Sequence, residues 1–108
     1  FKENCADLRN SKVPDLVREL QDYGCEVSIH DPIANIADAQ LEFGLFLDAW
    51  ENLPPADAIV AAVSHSYYQD MPLFELSKKA NPGAVFVDIK SIYDSKAISG
   101  LGFHVWRL

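Results

Sequence analysis

The sequence predicts a doubly wound, Rossmann-like α/β domain with three layers, in which helices cover both faces of a parallel sheet. Along the 108-residue chain, segments with helical spacing of apolar residues alternate with short segments that have the length of strands. Residues 58–63 are continuously apolar and rich in β-branched side chains, and residues 84–89 are predicted as a second strand of this kind. Strands buried on both faces of a parallel sheet have this composition, and the helix–strand alternation predicts helices on both sides of it.

The first predicted helix follows a polar loop at residues 1–13. Its apolar side chains have helical spacing, and they are Val13, Leu16, Val17 and Leu20. Asn10 or Ser11 is suited to cap its amino end, Pro14 falls in its first turn, and Gly24 is expected to end it. No strand precedes the loop, so we expect the first strand of the domain to be missing from this fragment.

The middle of the chain continues the alternation. Residues 25–31 alternate apolar and polar side chains and are predicted to form a strand. Residues 35–43 are predicted to form a short helix between Asn35, as its cap, and the glycine that follows. We place a minor edge strand at residues 45–47 and a connection that holds a helical turn at residues 48–57.

In the last third of the chain, Pro72 is expected to open a helix and residues 81–83 to form a turn. The strand at residues 84–89 leads into a polar loop at residues 90–95, and residues 103–108 are predicted as a final strand. With the missing strand restored, the expected strand order places it between the second and the fourth. Ligands then bind beyond the carboxyl ends of the strands, where the strand order reverses.

Composition and charge exclude several classes of protein. The net charge of −7 argues against nucleic acid as a partner, because affinity for nucleic acid comes from basic surface. No apolar run approaches a membrane span and no signal peptide is visible, so we expect a cytoplasmic protein that has no membrane partner. The two cysteines, Cys5 and Cys25, lack the spacing of a redox or metal motif and are interpreted as reduced thiols.

The basic residues are confined to the two ends of the chain. No Lys or Arg lies between Glu19 and Ser77. Lys2, His65 and Lys90 each follow a predicted strand end, so the two basic groups are expected to meet at one edge of the sheet. Such a site on an acidic body suits a small phosphorylated ligand, although sparse lysines also cluster by chance.

The first loop supplies the candidate ligand contacts. It has no glycine before Gly24, whereas a dinucleotide pyrophosphate needs glycines there, so this is not expected to be an NAD-binding half. Lys2 is the first candidate, with a solvated surface lysine as the alternative. Phe1 either walls off the ligand or packs in the core. Arg9 either binds phosphate or pairs with Asp7 to hold the loop, and we favour the second role.

Several motifs together resemble a known family. The opening residues fit the pattern FK-x(4)-D-x-R-x-S at Phe1, Lys2, Asp7, Arg9 and Ser11. Later matches are Asp31-Pro32, Val87-Asp88-Ile89-Lys90 with Tyr93-Asp94, and Trp106-Arg107-Leu108. In this order they resemble the C-terminal, UDP-binding domain of the UDP-glucose/GDP-mannose dehydrogenases. Bacterial members that act on UDP-N-acetylhexosamines for surface polysaccharides are the most similar.

The resemblance implies a function for the chain as a single domain, residues 1–108, of a larger enzyme. It would bind the UDP-sugar that an NAD-dependent 6-dehydrogenase oxidises to a UDP-uronic acid, with Lys2 and Lys90 at positions of the family's motifs. Phe1 and Arg9 complete the set of candidate substrate-binding residues. The family's catalytic cysteine, its NAD site and the helix that joins its subunits lie upstream. The resemblance therefore implies no catalytic residue here, NAD bound by the absent N-terminal domain, and a homo-oligomeric parent enzyme.

One motif departs from the family. Many relatives have Asp-Gly-Arg where this chain has Asp88-Ile89-Lys90. Lysine cannot form the bidentate contact that arginine makes with phosphate, so Lys90 is expected to act as a point charge. Arg107 is a further candidate contact, but anchoring by Trp106 and pairing of Arg107 with a surface acid are favoured.

Two other functions compete with this interpretation. A free-standing flavodoxin-like signalling or nucleotide-binding module fits the length and acidity, with Asp48 as a phosphoacceptor, but the acidic pair that a receiver domain needs is poorly supplied. The second alternative is a dinucleotide-binding domain that lacks only its first strand. In that domain Asp31 would bind a ribose. We favour a role in the turn before Pro32 for this acid.

Other chemistry has little support. The three histidines, His30, His65 and His104, have no metal-ligand spacing with each other or with the cysteines, so no metal site is predicted. Ser64 and His65 are adjacent and would point to opposite faces of a strand, which argues against a nucleophile and base pair.

Overall fold

The computed structural model describes residues 11–107, which belong to two compact units that meet in sequence between Leu53 and Pro54. The first unit contains helices α1 (Val13–Asp22) and α2 (Ile36–Phe43) and a 3-10 turn at Trp50–Asn52. The second contains β1 (Ala56–Ala61), α3 (Ser66–Gln69), α4 (Leu73–Ser77), β2 (Ala80–Asp88), α5 (Ser95–Gly100) and β3 (His104–Arg107). The predicted loop contacts at Phe1, Lys2 and Arg9 lie outside the described residues, as does the predicted position of the first strand.

Helix α1 forms where its apolar spacing predicts. Val17 and Pro14 are buried, and Pro14 lies in the first turn, where its missing N–H has no helical partner. The Ser11 hydroxyl accepts the N–H of Val13 at 3.1 Å, so Ser11 stabilises the start of the helix although Lys12 occupies the cap position. Gly24 ends the helix with a φ of 89°, and its N–H donates to the carbonyl of Gln21.

Helix α2 has both predicted end signals. The Asn35 side chain accepts the N–H of Asp38 at 3.0 Å, which satisfies one of the free amides of the first turn. Gly44 follows the helix with a φ of 66°, a left-handed conformation that glycine adopts at little cost. Ala39 is completely buried, whereas most of the other α2 side chains are exposed.

The predicted strands at residues 25–31 and 45–47 are reduced to one parallel bridge, between Ile29 and Leu47. The N–H of Asp48 also donates to the carbonyl of Ile29, at 2.7 Å. Cys25, the first residue of the predicted strand, is exposed. Among the described residues the pairing of these two segments is this one bridge, and neither segment has the ladder of a regular strand.

The second unit is built on a parallel sheet with the order β1, β2, β3. Phe86 lies at its centre with no exposed surface, and the rings of Tyr93 and Phe103 meet it edge to face at 5.3 and 5.4 Å. Leu76 of α4 and Ile98 of α5 complete the buried set. The predicted α/β class is thus confirmed, since a parallel sheet alternates with helices along the chain.

Strand β1 differs from its prediction in position and burial. It begins and ends two residues earlier than the predicted segment 58–63, and Ala58 is exposed while Ile59 and Val60 are only partly buried. The expectation of burial on both faces is therefore wrong for these described residues. In the described sheet β1 is an edge strand, and only β2 pairs with it.

The predicted turn at residues 81–83 lies inside β2. Ala56 pairs with Ala80 and Ala58 pairs with Val85, so the two strands advance unequally and the extra residues of β2 form an irregularity. Gly83 has a φ of 77° there. After it, Ala84, Phe86 and Asp88 are buried and the residues between them are only partly buried, so this strand too differs from the expected burial on both faces.

Two short helices were not predicted. Helix α3 follows directly from His65, and α5 occupies the segment that begins at the end of the predicted polar loop. The Asp94 carboxylate accepts the N–H groups of Lys96 and Ala97, which caps α5. Helix α4 begins after Pro72 as expected, and Lys78 follows its last turn, where it pairs with Glu75 at 3.1 Å.

Candidate functional site

A buried carboxylate organises the loop that follows β2. Asp88, the last residue of β2, is 1% exposed. Its Oδ1 accepts the N–H of Ile92 at 3.3 Å, and its Oδ2 accepts the N–H of Tyr93 at 2.9 Å. A buried charge is tolerated where hydrogen bonds compensate for lost water, so these amides both stabilise Asp88 and fix the loop.

Arg107 contacts the same loop from β3. The parallel register places Arg107 beside Asp88, and the Arg107 Nε atom lies 4.0 Å from Asp88 Oδ2. Its Nη2 donates to the carbonyl oxygen of Ser91 at 2.8 Å. The favoured pairing of Arg107 with a surface acid is therefore wrong, because its acid is buried. Trp106 is 66% exposed, so it is not the expected anchor.

The backbone between these contacts makes a tight turn. The N–H of Ile89 donates to the carbonyl of Ala61 at 3.2 Å and so continues the pairing of β1 with β2. Ser91 has a φ of 54°, and it alone among the described non-glycine residues has a positive φ. The left-handed position thus falls at Ser91 and not at Ile89, so the β-branched Ile89 is not placed in a conformation that favours glycine.

Lys90 is exposed at the centre of this turn, at the carboxyl end of β2. Of the four predicted substrate-binding residues, it is the one that lies among the described residues. The turn presents an ammonium group beside a sheet edge at which parallel α/β folds bind ligands. Whether Phe1, Lys2 and Arg9 share this site is a prediction that the described residues do not test.

Tyr93 links the loop to the core. Burial of its ring, with a smaller contribution from the nearby Asp88 carboxylate, raises the pKa of Tyr93 to about 12. Its ring packs edge to face on Phe86. The loop is therefore held at both ends, by Asp88 at its start and by the partly buried Tyr93 ring near its end.

The end of β1 lies at the same edge of the sheet. Ser64 and His65 are both buried, and the carbonyl of His65 accepts the N–H of Tyr68 and of Gln69 as α3 begins. The Gln69 side chain donates to the carbonyl of Ser64 at 2.8 Å. These contacts show a structural role for the segment in starting α3.

The structure also tests the role predicted for Asp31. The Asp31 carboxylate accepts the N–H groups of Ile33 and Ala34 at 2.9 and 2.8 Å, which confirms the predicted role in the turn.

Within residues 11–107, no three side chains of His, Cys, Asp or Glu are grouped so that they could hold a metal ion. None of the helices in this part of the chain is long and apolar enough to cross a membrane.

Sequence reasoning identified Lys90 but missed the residues that hold it. Asp88 and Arg107 were recognised as parts of family-like motifs, yet their contact depends on the register of β2 with β3, which the sequence does not show. Nothing in the sequence indicated the positive φ of Ser91, because serine is not among the residues that readily adopt this conformation.

Comparison with known proteins assigns the chain to a family. Residues 1–95 match the model of the UDP-glucose/GDP-mannose dehydrogenase family, UDP binding domain. The chain belongs to this family. Every motif of the resemblance except the terminal Trp106-Arg107-Leu108 lies within the matched residues.

Individual relatives agree with this assignment. The chain is 38% identical over 94 residues to UDP-N-acetyl-D-glucosamine 6-dehydrogenase of Pseudomonas aeruginosa, covering 87% of the chain and 22% of that protein. It is 37% identical over 108 residues to Protein CapL of Staphylococcus aureus, covering 100% of the chain and 25% of that protein. The chain thus spans at most about a quarter of the length of these relatives.

A solved structure confirms the fold. The NDP-N-acetyl-D-galactosaminuronic acid dehydrogenase from Methanosarcina mazei Go1 matches 99% of the chain, and 22% of its own, with a TM-score of 0.81 and 23% identity. The predicted Rossmann-like α/β class is therefore confirmed. No described residue and no comparison favours the alternative of a free-standing signalling module.

Proposed function

We propose that this chain is the UDP-sugar-binding, C-terminal domain of an NAD-dependent nucleotide-sugar 6-dehydrogenase, and that residues 1–108 form this one domain of a longer enzyme. The family match and the relatives named as UDP-N-acetyl-D-glucosamine 6-dehydrogenases support it. The observation that carries it in the structure is the exposed Lys90, on a turn held by the buried Asp88 at the carboxyl edge of the sheet.

The site chemistry suits a nucleoside diphosphate. A diphosphate needs cationic or N–H donors, and on a body with a net charge of −7 these must be local. Lys90 supplies a point charge that accepts several orientations of the phosphate oxygens. Phe1, Lys2 and Arg9 are proposed as the other substrate contacts, from the opening loop that matches the family motif.

The rest of the enzyme would supply the chemistry. In this proposal NAD and the catalytic residues belong to an N-terminal part, and this domain binds the nucleotide end of the substrate. The product would be a UDP-uronic acid for surface polysaccharide synthesis, made in the cytoplasm by a homo-oligomeric enzyme. Nucleic acid and membrane are not proposed as partners.

Calorimetric titration tests the proposal with UDP and, separately, with NAD. We expect saturable UDP binding by the 108-residue chain and by the longer enzyme, and NAD binding by the longer enzyme alone. Lys2→Ala and Lys90→Ala should each weaken UDP binding by about tenfold, the size of a lost charge-assisted contact. Lys78→Ala removes an exposed lysine that pairs with Glu75 and is the matched control, with an expected change below about twofold.

Two results would count against the proposal. A longer enzyme that neither binds UDP nor reduces NAD with any UDP-sugar would refute it. Phosphorylation of Asp48 by acetyl phosphate and magnesium would instead favour the signalling module.

A further inference from the structure

We infer that Arg107 is a positioning residue for ligand binding by Lys90, and that it acts by holding the turn between Asp88 and Tyr93. This inference rests on the proposed function and deepens it. It assigns to the end of β3 a role in recognising the diphosphate, although β3 follows the part of the chain that the family model matches.

Lys90 lies in the turn between Asp88 and Ser91, and other residues hold both of these neighbours. On one side is Asp88, which is held in the β2 ladder and is almost completely buried. On the other is Ser91, whose carbonyl oxygen accepts Arg107 Nη2 at 2.8 Å. Lys90 itself is exposed, so its position depends on these two neighbours.

The conformation of Ser91 explains why the turn needs an external contact. A φ of 54° is disfavoured for a residue with a Cβ atom, and such a conformation persists where surrounding contacts determine it. Arg107 Nη2 donates to the Ser91 carbonyl at 2.8 Å, and the Ser91 N–H donates to the carbonyl of Asp88 at 3.4 Å. The bond from Arg107 is the shorter of these two, and its loss would make it easier for Ser91 to return to a negative φ and for the peptide that carries Lys90 to turn.

The contacts of Arg107 keep its guanidinium on the turn. Its guanidinium lies between the buried Asp88 carboxylate, 4.0 Å from Nε, and the Ser91 carbonyl. A guanidinium engaged with a buried carboxylate loses that partner if it moves to a ligand, and the unpaired carboxylate opposes such a movement. Arg107 therefore stays on the turn, and Lys90 makes the contact with the ligand.

A double-mutant cycle tests the inference in the longer enzyme, with UDP as the ligand. The four proteins are the wild type, Arg107→Gln, Lys90→Ala and the double variant. We expect Arg107→Gln to weaken UDP binding by about fivefold when Lys90 is present and by less than about twofold when Lys90 is alanine. Lys96→Gln is the matched control, because it removes an exposed positive charge from the neighbouring α5 without touching the turn.

Hydrogen exchange measures the turn without any ligand. In Arg107→Gln the amides of Ile92 and Tyr93 should exchange about tenfold faster than in the wild type, since the loop opens more often. The same amides should be unchanged in Lys96→Gln. Arg107→Lys, which keeps the charge beside Asp88 but loses the planar fork, serves for the same cycle if Arg107→Gln does not fold.

Each outcome decides a different point. If Arg107→Gln weakens UDP binding by the same factor with Lys90 present and with Lys90 replaced by alanine, Arg107 contacts the ligand itself or acts elsewhere. This result overturns the inference. Unchanged UDP affinity in Arg107→Gln, or unchanged exchange at Ile92 and Tyr93, overturns it as well. Failure of the wild-type enzyme to bind UDP overturns the proposed function and the inference together, and so differs from failure of the inference alone.

Discussion

At the scale of single residues, the buried carboxylate of Asp88 has the most consequences. It ends β2, accepts two loop amides and lies beside Arg107, so one side chain links the sheet to the loop that carries Lys90. Removing a buried acceptor of this kind leaves partly buried donors without this partner, and such donors lose more than the bonds themselves contribute.

Asp88→Ala is expected to lower the free energy of unfolding by about 3 kcal/mol, because two amides and a guanidinium lose a charged partner. Urea denaturation followed by circular dichroism measures it. Asp57→Ala is the control: this exposed carboxylate accepts the Asn81 side chain at 2.9 Å, and its loss should cost about 0.5 kcal/mol or less. Equal losses in the two variants would contradict the organising role of Asp88.

Tyr93 gives a prediction about pH. Its pKa is raised from 10.0 to about 12, first by burial and then by the Asp88 carboxylate, so the folded state favours the neutral phenol. The unfolded chain loses this proton first, and the stabilisation, complete below pH 10, is therefore lost as the pH rises toward about 12. Phenolate absorbance should show a late-titrating group that Tyr93→Phe removes, and the variant should lose less stability over this range.

At the scale of elements, end signals located the helices better than alternation located the strands. Asn35 and Gly44 act within a few residues of α2, so their effect is visible in sequence. A strand depends on partners that are distant in sequence. Within the part of the chain that the structure describes, residues 25–31 pair through the bridge from Ile29 to Leu47, in spite of their strand-like pattern.

Two glycines provide a matched pair for the helix ends. Gly44→Ala should destabilise the protein by about 1 kcal/mol, because alanine is strained at a φ of 66° even though no atom lies near the added Cβ. Gly100→Ala, in α5 and equally open around its Cβ, should stabilise it by about 0.5 kcal/mol. Thermal unfolding of both variants measures this, and a change of the same sign in both would contradict the argument.

At the scale of the whole molecule, the basic residues at the two ends of an acidic chain predict a site at one edge of the sheet. The structure places Lys90 and Arg107 at the carboxyl edge of one sheet and gives them different surroundings. Lys90 is exposed, while Arg107 is engaged with Asp88 and Ser91. The proposed division between ligand contact and support follows from this difference.

In the proposed enzyme, Lys90→Ala should raise the KM for the UDP-sugar by about tenfold and change kcat by less than about twofold. The diphosphate does not change during oxidation of the sugar, so its contacts are equally strong in the ground state and the transition state. Steady-state NAD reduction measures both constants, with Lys78→Ala as the control. A fall in kcat at constant KM would show that Lys90 acts on the chemical step instead.

The sequence by itself determined the α/β class, the family, the carboxyl end of α1, both ends of α2, and Lys90 as a candidate contact. These depend on local spacing, on end residues such as Gly24 and Asn35, and on motifs that are contiguous in the chain. Only the tertiary structure decided that β1 is an edge of the described sheet, that Ser91 takes the left-handed conformation and that Arg107 meets Asp88. The physical reason is that strand pairing and burial of charge depend on residues far apart in sequence, and their partners become neighbours when the sheet forms.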